Sequence, residues 1–192
     1  MNQEKDLAIN LPVRISELSA GLVFTAVSIL SFFVPFTLGH PQWLVGTIVN
    51  ACLFLGATYL PKRYFIPLAI LPSLGVLARG LIFGPFTLLL IYFLPFIWLG
   101  NLVLIFSFRY VYSNVLKNNR IAYLSAAFFS SSAKFIFLFL IANIYFKLSI
   151  VPALFLQLMG LNQLATALAG GLVALGILMI FRGLKIKSLK ID

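Results

Sequence analysis

The chain has 192 residues, of which 62% are hydrophobic and 9% are charged, and its mean hydropathy is +1.09. A soluble domain of this length needs far more polar surface, so the composition excludes the water-soluble classes. The formal net charge of +10 comes from basic residues in the short gaps between apolar runs. Membrane topology explains that placement better than nucleic-acid binding, and no nucleic-acid partner is predicted.

Apolar runs of membrane-spanning length follow one another along the whole chain. These runs are apolar on all faces and must satisfy their own backbone hydrogen bonds, so they predict helices rather than barrel strands. The six predicted helices cover about 16–36, 42–60, 64–83, 85–108, 121–146 and 151–181. The last is long enough to be tilted or to begin as an interfacial turn. The sequence therefore predicts an all-α integral membrane bundle, with residues 1–192 as a single transmembrane domain in the lipid bilayer.

The cations divide unevenly between alternate gaps. The N-terminal arm, the second and fourth gaps and the C-terminal tail carry Lys5, Arg14, Lys62, Arg63, Arg109, Lys117, Arg120, Arg182, Lys185, Lys187 and Lys190. The other gaps carry Arg79 and Lys147, so eleven cations oppose two, and Lys134 is left inside a helix. The positive-inside rule then places both termini in the cytoplasm. A count of five helices would put the four cations of the tail outside, which favours six.

Lys134 is the most informative polar residue because it lies near the middle of the fifth predicted helix. A lysine at that depth costs about 2.5–3.5 kcal/mol on insertion scales. The acids of the chain lie at or near ends and are Glu4, Asp6, Glu17 and Asp192. Two interpretations follow: Lys134 faces a polar cavity that holds an anionic ligand group, helped by Ser130 and Ser131, or it extends toward the membrane surface.

Further polar residues are candidates for substrate binding. They are Arg79, Asn143, Gln157, Asn162 and Gln163. The amides suit hydrogen bonding to a small polar ligand, and the alternative for each is a hydrogen bond between helices. For Arg79, the alternative is anchoring to lipid phosphate. Asn50 and Asn101 have the same ambiguity, with the interhelical role favoured.

The residue types that are missing exclude most chemistry. One histidine and one cysteine cannot build a metal site, and neither supplies the base and nucleophile pair of a hydrolase. Ion-coupled transporters usually carry carboxylates inside the membrane, and nucleotide hydrolysis needs a glycine-rich phosphate loop. We therefore predict no enzyme activity, no cofactor and no metal, and a bundle that binds a ligand without an energy source of its own.

Four short stretches resemble a known family of membrane proteins. They are Pro41-Gln42 with Gly46-Thr47-Ile48-Val49-Asn50, Leu71-Pro72-Ser73-Leu74, Pro95-Phe96-Ile97-Trp98-Leu99-Gly100-Asn101, and Gln163-Leu164-Ala165-Thr166-Ala167-Leu168-Ala169-Gly170-Gly171. Together with the length and the six predicted helices, they resemble the substrate-binding S component of energy-coupling-factor (ECF) transporters. The resemblance implies a protein of the prokaryotic cell (inner) membrane that captures a vitamin or similar small organic nutrient from outside.

The resemblance also implies partners and a place for the ligand. An S component associates with a membrane coupling subunit and two cytoplasmic ATPases, and it topples in the bilayer to release its substrate. Its ligand lies in the outer half, near the last three helices and the outer loops. The family docks through an Ala-x-x-x-Ala pattern on the first helix, and this chain has Gly21-x-x-x-Thr25 there, flanked by Ser19 and Ala20.

Two other functions are compatible with a bundle of this kind. One is a structural or assembly protein that acts through helix contacts alone. The other is a small membrane transferase or lipid-handling protein, which the missing acids and histidines disfavour. For a transporter, Lys134 and Arg79 favour a substrate that carries a carboxylate or a phosphate.

Overall fold

A computed structural model describes residues 16–38, 40–83, 87–115 and 120–188, with side chains described for 16–38, 40–80, 89–114 and 120–181. The helices in chain order are α1 (Glu17–Thr37), α2 (Gln42–Tyr59), α3 (Phe65–Phe83), α4 (Thr87–Ile91), α5 (Leu94–Tyr110), α6 (Arg120–Lys147), α7 (Leu154–Met159) and α8 (Leu161–Ser188). A 3₁₀ turn, Lys62–Tyr64, precedes α3, and a π-helical segment, Val111–Val115, continues α5. These ranges contain no strand, which confirms the predicted all-α class.

Several helices have the length and composition of membrane spans. Five helical stretches are long and apolar enough to cross a bilayer: Glu17–Thr37, Gln42–Tyr59, Leu94–Asn114, Arg120–Lys147 and Leu154–Phe181, of which the third includes the π-helical segment and the last runs through α7 and α8. Large apolar side chains also point outward, as Leu22, Ile29 and Phe33 do on α1, where each is at least half exposed. Lipid chains solvate such side chains, so these features are those of a multi-pass membrane protein.

The structure divides the helix that the sequence predicts over 85–108. The short α4 comes first, and a turn at Tyr92 and Phe93 separates it from α5. Pro95 lies in the first turn of α5, where its missing N–H removes no helical hydrogen bond, so this proline favours a helix start. The predicted start at residue 85 lies outside the described residues, as do the cations Lys5, Arg14, Lys117 and Lys190.

The helix predicted over 151–181 is also divided, with a break at Gly160 between α7 and α8. Gly160 has φ −98° and ψ −120°, which lies outside the helical region. A Cβ at this position would collide with the carbonyl oxygen of Leu156 and lie 3.1 Å from the ring of Phe139. Glycine therefore permits the break, and α7 packs against α6 and α8 as a separate segment.

α2 is the central helix and packs against α1, α5 and α8. Its closest approach is to α8, where a Cβ on Gly170 would lie 2.7 Å from the nitrogen of Ala51 and 2.8 Å from the carbonyl oxygen of Thr47. Membrane helices associate largely through van der Waals packing, and small residues let their backbones approach. Gly170 therefore sets the spacing between α2 and α8.

Two apolar clusters surround the polar part of the bundle. In the larger cluster the rings of Phe54 and Phe108 meet edge to face, with their centroids 5.0 Å apart. In the smaller cluster Phe93 stacks on Phe155 at 5.2 Å, beside Met159. Both clusters fix the helices that carry the polar side chains described below.

An ion pair joins the start of α1 to the turn that follows α2. The guanidinium of Arg63 contacts the carboxylate of Glu17, and it lies 5.0 Å from the ring centroid of Tyr64. Hydrogen bonds with Tyr64 and then with Glu17 raise the pKa of Arg63. Both charged side chains are exposed, so the pair contributes little stability. It does place the first turn of α1 and the end of α2 at the same end of the bundle.

Candidate functional site

A cavity of about 170 Å³ lies at the opposite end of the bundle, where α1 ends and α2, α5 and α8 begin. Apolar side chains such as Pro35, Val45, Val76, Ile97 and Met159 form much of its wall. The polar residues that line it are Gln42, Asn50, Ser73, Asn101, Lys134, Asn162, Gln163 and Thr166. Apolar walls with a few convergent polar groups are typical of small-molecule sites.

Lys134 projects into this cavity from the middle of α6 and is 3% exposed. Its Nζ donates a hydrogen bond of 2.8 Å to Oδ1 of Asn50. Glu17, the acid within the described residues, is engaged by Arg63 at the other end of the bundle. In the part of the chain that the structure describes, the buried amine of Lys134 is thus held by a neutral amide and by no carboxylate.

Asn50 connects three helices through one buried side chain, which is 2% exposed. Its Oδ1 accepts a hydrogen bond from Nζ of Lys134 on α6, because an amide oxygen has no hydrogen to donate. Its Nδ2 donates to the carbonyl oxygen of Gly46 at 2.9 Å and to Oγ1 of Thr166 on α8 at 3.3 Å. Thr166 in turn donates to the carbonyl oxygen of Asn162 at 2.8 Å. We call these hydrogen bonds the Lys134–Asn50–Thr166 chain.

Two of the predicted substrate-binding residues join Lys134 at the cavity. Asn162 and Gln163 lie in the first turn of α8, and both are half-buried. Within the described residues, neither amide side chain has a hydrogen-bond partner. They therefore offer donors and acceptors to a molecule in the cavity, beside the exposed side chains of Gln42 and Trp43.

Another wall of the cavity is braced by hydrogen bonds between α3 and α5. Asn101 donates from Nδ2 to the carbonyl oxygen of Ala69 at 2.9 Å. Trp98 donates from Nε1 to Oγ of Ser73 at 2.5 Å, and Ser73 donates to the carbonyl oxygen of Ile70 at 2.8 Å. Nδ2 of Asn101 and Oγ of Ser73 are thus used in holding the helices together.

The structure places the other three predicted substrate-binding residues away from the cavity lining. Arg79 donates to the carbonyl oxygens of Phe36 and Thr37 at 3.1 and 2.9 Å, and so caps the C-terminal end of α1, whose last carbonyls have no helical partners. Asn143 donates to the carbonyl oxygen of Phe139 in its own helix at 2.7 Å. Gln157 is exposed on α7.

The predicted docking residues lie on two sides of α1. Ser19 and Thr25 are exposed, and Gly21 is half-buried with no atom within 4 Å of a Cβ built on it. Ala20 is 3% exposed and faces the bundle. Ser19, Gly21 and Thr25 therefore form the accessible part of this surface.

The sequence favoured an interhelical role for Asn50, and the structure has hydrogen bonds between Asn50 and both Thr166 and Lys134, but the sequence did not identify these partners. The sequence did hold a signal for the pairing of Asn50 with Lys134, because a buried lysine needs an acceptor and an asparagine lies in the second predicted helix. The pairing itself joins residues 84 positions apart in helices whose rotation the sequence does not fix.

Comparison with protein-family models, with curated proteins and with solved structures finds no match to this chain. The class of protein therefore rests on the helices and the cavity: a multi-pass membrane protein with a polar site in an apolar bundle.

Proposed function

We propose that this chain is the substrate-binding membrane subunit of an importer of the ECF type, and that it captures a small organic nutrient in the cavity around Lys134. The observation that carries the proposal is the buried amine of Lys134, held only by Asn50 among the described residues, in a cavity that also presents Asn162 and Gln163. Keeping a lysine at this depth costs free energy, and membrane proteins retain such residues mainly where they serve function.

The proposal includes six spans with both termini in the cytoplasm. Besides the five apolar helices, α3 has 19 residues and rises about 28 Å, close to the thickness of a bilayer core. With six spans, the eleven cations of the arm, tail and alternate gaps all lie inside. The cavity, at the end of the bundle opposite the Arg63–Glu17 pair, then faces outward, where a nutrient arrives.

The proposal also assigns the energy source to other proteins. The sequence has no glycine-rich phosphate loop, and its four acids lie at or near ends, so it offers neither nucleotide hydrolysis nor an intramembrane proton site. A coupling subunit and two cytoplasmic ATPases would supply the work. The exposed residues Ser19, Gly21 and Thr25 of α1 are the surface that we assign to the coupling subunit, because small residues allow close helix contact.

The experiment that tests this function is mass spectrometry of small molecules retained by the full chain after mild purification in detergent. We expect wild type and Lys147→Met to retain the same molecule and Lys134→Met to lose it. Lys147 is the matched control because it lies on the same helix, is exposed and is outside the cavity lining. Repeated purification of wild type with no bound molecule, and without copurifying ATPases, would overturn the proposal.

The same accessible face of α1 also favours a second candidate, an assembly protein that works through helix contacts alone. In that case Gly21→Leu would abolish association with a partner, and Lys134→Met would leave the function of the protein in the cell unchanged. Loss of nutrient uptake with Lys134→Met, at normal protein level, would exclude this candidate.

A further inference from the structure

Building on the proposed role of the cavity as a ligand site, we infer that it selects a compact monoanion, a monocarboxylate with a small apolar body. The carboxylate binds at Lys134 and Asn50, the apolar body lies against the walls from α1, α2, α3 and α5, and the amides of Asn162 and Gln163 contact its outer end.

The charge of the ligand follows from the partners of Lys134. An ammonium has three donors, and among the described residues Asn50 Oδ1 accepts one of them at 2.8 Å. Lys134 is also the one charged residue in the described lining. One cation in an apolar site balances one negative charge, and a phosphate dianion would leave a second charge buried without a partner. The site therefore favours a carboxylate over a phosphate and over a neutral or cationic group.

The size of the ligand follows from the volume. The cavity measures about 170 Å³, below the range of about 300–1,000 Å³ that is common for drug-sized ligands. A dry apolar cavity of about 150 Å³ holds one benzene molecule. A single ring or a short branched chain with one carboxylate is thus what the enclosed part of the cavity holds. Val45, Val76 and Ile97 give it an apolar wall without charge.

The test uses four ring compounds of similar size: benzoate, benzamide, benzylammonium and phenyl phosphate. Calorimetry on the purified full chain measures the affinity of each. We expect benzoate to bind at least about tenfold more tightly than the other three. Lys134→Met should weaken benzoate binding about 30-fold or more and benzamide binding much less, because the carboxylate loses its counter-charge whereas the amide oxygen loses only a neutral acceptor's hydrogen bond. Lys147→Met should bind benzoate as wild type does.

The wild-type comparison does not depend on any variant folding. Benzamide or benzylammonium binding as tightly as benzoate would overturn the inference and leave the proposed function standing. Binding of phenyl phosphate more tightly than benzoate would overturn the inference that the ligand is a monoanion. If none of the four compounds binds, the inference fails, and the retained-molecule experiment then decides the proposed function separately.

Discussion

At the scale of single residues, the contact between Lys134 and Asn50 is what decides ligand charge in the site that we propose. A carboxylate as the partner of Lys134 would satisfy the amine within the protein and leave no affinity for an external anion. The neutral Oδ1 of Asn50 orients the amine at 2.8 Å without cancelling a charge on it. The Lys134–Asn50–Thr166 chain thus holds the amine in place while keeping it available to a ligand.

Asn50→Asp tests this directly because it supplies the missing charge with almost no change in shape. We expect the affinity for benzoate to fall at least about tenfold, since the new carboxylate competes for Lys134. The variant also loses the donation from Nδ2 to the carbonyl oxygen of Gly46, so thermal unfolding must first show a folded protein. Asn143→Asp, the same change on α6 outside the cavity lining, is the control. Unchanged benzoate affinity in folded Asn50→Asp would mean that the anion binds elsewhere.

Arg79 illustrates a different use of a cation in an apolar bundle. Its contacts with the carbonyl oxygens of Phe36 and Thr37 indicate a cap on α1. We expect Arg79→Ala to lower stability by about 1 kcal/mol, because the end of α1 loses hydrogen bonds and a favourable charge, and to leave benzoate affinity unchanged. Thermal unfolding and calorimetry in one detergent measure both quantities. A fall in affinity at normal stability would return Arg79 to the binding site.

At the scale of helices, glycine positions decide which elements can approach. Gly170 of α8 lies against the backbone of α2, whereas Gly176 on the same helix has no atom within 4 Å of a built Cβ. Gly46 adds to the close contact, because a Cβ there would lie 2.9 Å from the methyl group of Thr166. This spacing is what brings Asn50 within reach of Thr166.

Gly170→Ala and Gly176→Ala form a matched pair. We expect the first to lower stability by about 1–3 kcal/mol and to weaken benzoate binding, because the neighbouring atoms are backbone atoms and the Cβ of Asn50, which cannot turn aside. The second should be neutral or stabilising by up to about 1 kcal/mol, since alanine favours a helix over glycine. Thermal unfolding measures both variants. Equal effects of the two substitutions would show that contact between α2 and α8 is not the cause.

The same helices show how far the sequence could predict this molecule. Length and hydropathy predicted α1, α2, α3 and α6 to within a few residues, because a spanning run is long and uninterrupted. The break at Phe93 was missed although Pro95 favours a helix start, and the sequence allowed for an interfacial turn at the start of the last helix without locating the break at Gly160.

Partners within the membrane were harder to predict than helices. A helix that is apolar on all faces has no period that fixes its rotation, so the sequence could identify Lys134 as important without pairing it with Asn50. Asn162 and Gln163 line the same cavity as Lys134, and their role as substrate-binding residues stays a prediction. Arg79 has a backbone partner whose position depends on how α1 and α3 pack.

At the scale of the whole molecule, the two ends of the bundle differ in chemistry. One end carries the Arg63–Glu17 pair, and Arg109, on the same side in the proposed topology, caps α2 by donating to the carbonyl oxygen of Leu60 at 2.7 Å. The other end carries the cavity and the unpartnered amides of Asn162 and Gln163 within the described chain. Cation-rich ends face the cytoplasm, so the cavity end is expected outside.

Labelling of single cysteines with a membrane-impermeant maleimide on intact cells tests this orientation. The natural Cys52 is 2% exposed, so its background reaction is low, and Cys52→Ala removes it altogether. We expect His40→Cys and Leu148→Cys to react and Lys62→Cys to react only after the membrane is opened, because six spans put the first and fifth gaps outside. If α3 did not cross, position 148 would lie inside while position 40 stayed outside. Protection of position 148 together with reaction at position 40 would thus contradict six spans. Reaction of position 62 alone would show the opposite orientation, with the cavity facing the cytoplasm.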